Sequence, residues 1–259
     1  MRIAASIEYD GRLYSGWQIQ EGVQTIQAEV EKALSKVADH PVRVICAGRT
    51  DTGVHAANQV IHFDTTALRS DYSWVRGANT HLPDSICLTW TKPVSDRFHA
   101  RFMARRRCYR YIILNRPIRP AYLVGKVVWQ YRPLDASRMA AAAQYLIGEH
   151  DFTSYRALAC QAKSPLRSMY SLDVSRSGEF VYLDVCANAF LHHMVRNIAG
   201  VLMTIGAGEK PIEWAKEVLE WRDRTRGGIT APAAGLYLVR VDYDDEFGLP
   251  EIALFPAYG

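Results

Sequence analysis

The order in which strands, amphipathic helices and hairpins follow one another most limits the folds open to this chain, because that order recurs. Residues 3–9 alternate apolar and polar side chains at the strand period of two, and Asp10-Gly11 ends the run. In residues 25–38, Ile26, Val30, Leu34 and Val37 repeat at helical spacing opposite Glu29, Glu31, Lys32 and Lys36, until His40-Pro41 stops the helix. Residues 42–46 and 59–63 read as two strands of a hairpin around a loop at 47–57. A helix over 71–81 and a strand over 86–91 follow. The second half offers strands at 107–114 and 127–130, then an Ala-rich helix over 135–147, capped by Asp135 and ended by Gly148. A hairpin of 166–174 and 179–187 turns at Ser177-Gly178, helices cover 192–206 and 211–221, and a strand closes the chain at 235–241. This pattern predicts an α+β fold of two similar halves with mixed or antiparallel sheets, residues 1–102 and 103–259, rather than a doubly wound parallel sheet. No G-x-G-x-x-G or G-x-x-x-x-G-K-[ST] is present, so no nucleotide cofactor is expected.

Composition narrows the class. With 49% hydrophobic and 22% charged residues, 17 Gly and 11 Pro among 259, the chain is neither disordered nor fibrous. Its net charge of +4 hides a segregation. Between Arg97 and Leu134 there is no acid, yet ten cations: Arg97, Arg101, Arg105, Arg106, Arg107, Arg110, Arg116, Arg119, Lys126 and Arg132. The other 21 cations face all 27 acids, a remainder of −6. Such a distribution suits a polyanionic partner, and a basic junction between the halves would line a cleft there. The first ten residues carry neither a signal-peptide core nor a membrane span, which predicts a cytoplasmic protein without a membrane partner. Five scattered cysteines, Cys46, Cys87, Cys108, Cys160 and Cys186, with no C-x-x-C pair, predict neither a disulfide nor a thiolate metal site.

Three blocks hold residues suited to chemistry. The loop Ala47-Gly48-Arg49-Thr50-Asp51-Thr52-Gly53-Val54-His55-Ala56 lifts Asp51 off a strand end between two glycines. There it can act as nucleophile or general base, or simply make an Asx turn or cap a short helix from Val54. Asp51, His55 and the distant His62 form no recognisable metal-ligand set. In Arg105-Arg106-Arg107-Cys108-Tyr109-Arg110-Tyr111, strand alternation puts Arg107, Tyr109 and Tyr111 on one face and Arg106, Cys108 and Arg110 on the other. Cations beside an aromatic platform grip phosphates and stack bases, although the tyrosine face is equally readable as core. The third block runs from Ala187 to Gly200. Arg196 there is a cation in an apolar stretch that needs an anionic partner from elsewhere, and Asp51 is one candidate. On a helix the adjacent His192 and His193 would point apart and make a poor metal pair.

These blocks resemble the bacterial tRNA pseudouridine synthase A family. The family signature G-R-T-D-x-G-V-H-A is matched without exception by Gly48 to Ala56, the basic Y-x-Y strand by Tyr109-Arg110-Tyr111, H-x-M-V-R-N by His192 to Asn197, and G-L-x-L by Gly235 to Leu238. Milder similarity runs through Tyr14 to Gln18 and Asp151 to Ser154, so nearly the whole chain is covered. Cys108 departs from the Thr or Arg common before the first tyrosine. The resemblance implies a pseudouridine synthase fold and an isomerase needing no cofactor. It implies Asp51 as the catalytic aspartate, Tyr109 as the residue stacking on the target base, Arg196 as the partner of the aspartate, Leu236 as an apolar pocket wall and Arg49 as a phosphate or loop contact. Arg105, Arg106, Arg107 and Arg110 would meet the RNA backbone. The implied substrate is the anticodon stem-loop of tRNA at positions 38, 39 and 40, acted on by a homodimer. A synthase for another RNA, or an RNA-binding module without chemistry, are the competing readings.

Overall fold

The computed structural model describes residues 1–250 and 255–258. The chain divides into two compact units, Met1–Arg106 with Tyr237–Phe255, and Arg107–Leu236 with Pro256–Gly259. The sequence pattern breaks at 102/103 and keeps the last strand in the second half. In the structure that strand, β10 (Leu236–Asp242), pairs in parallel with β3 (His55–Asp64) through Tyr237↔His55 and Leu238↔Ala56, which returns it to the first unit.

The first unit is a mixed sheet with two helices on it. β1 (Arg2–Tyr9) lies between β3 and β4 (Ile86–Val94), antiparallel to both, and β2 (Val44–Cys46) adds to β3 in the predicted hairpin. The alternation read in β1 does not mark an exposed face. Ile3, Ala4, Ala5, Ser6 and Ile7 are all buried, because β1 is an interior strand whose second face carries small residues, and the Ser6 hydroxyl donates to Asn58. α1 (Ile26–Ala38) and α2 (Asp71–His81) pack side by side, with α2 also against β4. The amphipathic stripe of α1 points inward through Ile26, Val30 and Leu34. α2 is capped by Ser70, whose hydroxyl accepts from Ser73 N–H.

The second unit is built on antiparallel strands. β5 (Arg106–Asn115) pairs with β9 (Phe180–Ala187), β9 with β8 (Leu166–Ser177), and β8 with a short β7 (Gly148–Asp151); β6 (Val128–Gln130) runs parallel to β5. α3 (Ala136–Ala143) packs on β8 and on α4 (Met194–Gly206), with α5 (Trp214–Trp221) beside them. Asp135 caps α3 as predicted, accepting from Ser137 and Arg138 N–H, but the helix relaxes into a 3-10 turn before Gly148 opens β7. The expectation of no disulfide is corrected. The β5–β9 register sets Cys108 opposite Cys186, and the two are joined in a disulfide. Cysteine number and spacing carry no information about strand register, which alone decides that pairing. Among the described residues no helix is long and apolar enough to cross a membrane.

Candidate active site

In the first unit, a set of hydrogen bonds along the Asp51 loop fixes its backbone. The loop leaves β2 at Ala47, whose N–H donates to Val60 C=O (2.8 Å), and buried Gln59 bonds both the N–H and the C=O of Gly48. At its tip, Val54 N–H closes on Asp51 C=O (3.1 Å), a tight turn that needs the positive φ of Gly53 (77°). Thr50 is the handle. Its hydroxyl bonds the buried Tyr9 hydroxyl (2.7 Å), and its C=O accepts from Trp17 N–H (3.0 Å). Trp17 and Gly16 in turn offer their C=O groups to Gln27 and Ile26, two N–H groups at the start of α1 that the helix itself leaves unpaired. The loop, the 16–17 segment and α1 therefore hold one another in place.

Asp51 itself is half-buried and Arg49 is exposed. No helix starts at Val54: β3 begins at His55, so the reading of Asp51 as a helix cap falls away. His55 is occupied structurally. Its Nδ1 accepts from Gly11 N–H (3.2 Å) and lies 3.3 Å from Asp10, and its ring stacks on Tyr237 at 4.5 Å. Burial opposes ionisation of Asp10, but the Arg12 side chain and backbone N–H, together with His55, outweigh it and hold the carboxyl below its ordinary range.

In the second unit, Tyr109 lies on β5 opposite Val185 with its ring edge-to-face to Phe190 at 5.1 Å, and 8% of its surface is exposed. Tyr111 is core: it is fully buried, its hydroxyl donates to Pro232 C=O (2.7 Å), and burial pushes its phenol pKa up. The arginines of this strand differ sharply. Arg107 is buried and donates to Asn188 C=O (2.8 Å). Arg110 forms a two-pronged ion pair with Asp184 (2.7 Å each), donates to Pro256 C=O and lies over the Tyr182 ring. In the first unit, Arg105 pairs with Asp244 and Arg106 is exposed.

Arg196 sits in the first turn of α4, where its Nε donates to Ala231 C=O (2.8 Å) and its C=O accepts from Ala231 N–H (3.1 Å). The segment bearing Ala231 is anchored further by Arg224, which bonds Gly228 C=O, Asn197 and Thr230. Leu236 is buried at the start of β10. The helix expected over 192–206 begins only at Met194. His193 has a left-handed backbone (φ 62°) and precedes the helix, so the helical argument that separates His192 from His193 does not apply; their rings lie 4.0 Å apart. Sequence reasoning missed Phe190, Arg224 and the anchoring role of Thr50. Phe190 and Thr50 lie inside the third and first blocks, whereas Arg224 lies in none.

The chain matches the family model described as tRNA pseudouridine synthase over residues 5–103 and 142–244. It is 60% identical to tRNA pseudouridine synthase A of Pseudomonas aeruginosa, covering 99% of this chain and 90% of that protein. It is 57% identical to the protein of the same name from Nitrosococcus oceani over 98% of each chain, and 56% identical to that from Coxiella burnetii over 99% of this chain and 98% of that one. With a turn-mounted aspartate in a pinned loop and matches of this length, the chain belongs to the tRNA pseudouridine synthase family.

Proposed function

We propose that this chain isomerises uridine to pseudouridine in tRNA, at positions 38, 39 and 40 of the anticodon stem-loop, with Asp51 as the catalytic carboxylate. The observation that carries the reading is the intact signature loop around Asp51, in a chain similar over nearly its full length to tRNA pseudouridine synthases A. The N1–C1′ glycosidic bond breaks, the uracil turns while held, and a C5–C1′ bond forms; N1 gains a proton and C5 loses one, so nothing is oxidised or reduced. A carboxylate on a rigid turn suits that cleavage, because a group held by its backbone meets the nucleoside without reorganising.

The reading assigns Tyr109 to stack on the uracil once it leaves the helix, offsetting part of the few kcal/mol that unstacking costs. The edge-to-face contact with Phe190 supports this by fixing the ring plane. Arg196 is assigned as the partner of Asp51, Leu236 as the apolar wall and Arg49 as a loop or phosphate contact. Of the cations assigned to the RNA backbone, Arg106 is exposed, Arg105 and Arg110 would exchange carboxylate for phosphate, and Arg107 is buried. A homodimer in the cytoplasm completes the reading. Incubation with unmodified tRNA transcripts, followed by base-resolution mapping, is expected to place pseudouridine on the 3′ side of the anticodon stem-loop. Product elsewhere would overturn the positional assignment, and no product with several tRNAs would overturn the function.

A further inference from the structure

Phe102 is an exposed aromatic ring on an unusually firm base. It is 74% exposed, yet Phe98 and Ala100 just before it are fully buried. Ala100 N–H donates to Nδ1 of buried His62 (3.1 Å), and Ala100 C=O accepts from the Tyr243 hydroxyl (2.7 Å). Met103 N–H closes on His99 C=O, and His99 Nδ1 accepts from the N–H groups of both Arg101 and Phe102. The turn is thus fixed at every residue from 98 to 103. On it the Phe102 ring lies stacked on His99, with centroids 4.3 Å apart and planes 26° from parallel, and the Arg101 guanidinium stands 5.5 Å from its centroid.

A single exposed apolar side chain normally needs no explanation. This one combines three properties that together select a ligand class. It is preorganised, so ordering it on binding costs little. It offers a π face rather than an aliphatic knob. It lies in the segment that has ten cations and no acid, directly after Arg101 and shortly before Arg105 and Arg106 in sequence. Nearby in sequence, Arg97 pairs with Glu246 and Arg105 with Asp244. An aromatic face with the Arg101 guanidinium beside it fits a nucleobase with its phosphate.

Its anchor in the first unit stands apart from that of the Asp51 loop. The Phe102 turn docks on His62 near the end of β3, whereas the Asp51 loop enters that strand at His55. Seven residues of strand separate the two points, about 23 Å. We propose that Phe102 is a second stacking point for tRNA, receiving an unpaired base well away from the uridine being isomerised, with Arg101 alongside it on the phosphate. This rests on the reading that the chain acts on tRNA.

The test is an affinity series with an unmodified tRNA transcript, read by fluorescence anisotropy on folded variants verified by thermal unfolding. Phe102→Ala and Phe102→Leu are each expected to raise Kd about tenfold, within the fivefold to 150-fold span of one lost base stack, and Phe102→Tyr to restore it. Turnover at saturating tRNA stays at the wild-type value, because Phe102 touches no reacting atom. Wild-type affinity in Phe102→Ala overturns the proposal. So does full rescue by leucine, which would leave an ordinary apolar contact, and so does a Phe102→Ala protein that loses self-association in sedimentation while binding tRNA normally, which would give the ring to a second copy of the chain. A wild-type protein that binds tRNA but makes no pseudouridine would defeat the functional reading and leave the stacking result standing.

Discussion

Gly16→Ala probes whether the Asp51 loop works as a fixed platform. Gly16 has a φ of +84°, and a Cβ built on it would meet Thr50 O at 2.7 Å and the Asp51 carbonyl carbon at 3.1 Å. Both atoms are backbone, so no side chain can swing aside. Ordinary contact begins at 3.4 Å, so the Thr50–Asp51 peptide must retreat by about 0.7 Å, while the left-handed backbone costs an alanine about 1–2 kcal/mol. A misplacement of about 1 Å can cost a reaction about a hundredfold, so kcat for pseudouridine formation should fall at least about tenfold in single-turnover assays with tRNA transcript. Gly22→Ala is the matched control. Gly22 also has positive φ (+76°), but nothing lies within 4 Å of its built Cβ, so this variant should lose comparable stability in urea and keep its rate. A Gly16→Ala enzyme that is folded and turns over as fast as Gly22→Ala would refute the platform argument.

Other perturbations follow from the same geometry. Arg110→Ala leaves Asp184 unpaired in a partly exposed site and should lower stability by about 1–2 kcal/mol in urea unfolding, while Arg106→Ala at an exposed position should change it by less than about 0.5 kcal/mol; equal effects would contradict the pairing. Tyr111→Phe removes the hydroxyl donor to Pro232 and should cost about 1 kcal/mol without altering the secondary-structure spectrum. His62 has its pKa lowered from 6.5 to about 4 by burial, then by Arg2 and His99. The unfolded chain therefore binds the extra proton first as pH falls. Stability from this group is complete above pH 6.5 and is lost between 6.5 and about 4, by about 2–3 kcal/mol, and the loss should flatten in His62→Asn; a wild-type profile level across that window would contradict it.

Much of this was legible wherever a local signal and the tertiary role agree. The Asp51 loop is bounded by glycine and turn residues, and its backbone needs are written into its own sequence. Thr50 shows the limit: nothing local marks it as the residue that Tyr9 and Trp17 hold from 41 and 33 residues away. The same limit explains β1, where small residues on the second face imitate a solvent pattern in a strand buried between β3 and β4. At Cys108 and Cys186 the deciding fact is a register between strands 78 residues apart. At His192 and His193 it is a left-handed residue in a run whose apolar period continues the helix backwards past its true start. The basic strand was half legible. Its cations are evident, but that Asp184 claims Arg110 and that Asn188 receives Arg107 depends on the strand pairing with β9 and the turn beyond it.

The central claim is that one carboxylate on this pinned turn performs the isomerisation. Asp51→Asn keeps its size and removes its charge. With tRNA transcript in single turnover, Asp51→Asn should form no detectable pseudouridine while binding tRNA with an affinity close to that of the wild-type chain. Turnover retained at anything near the wild-type rate would contradict it.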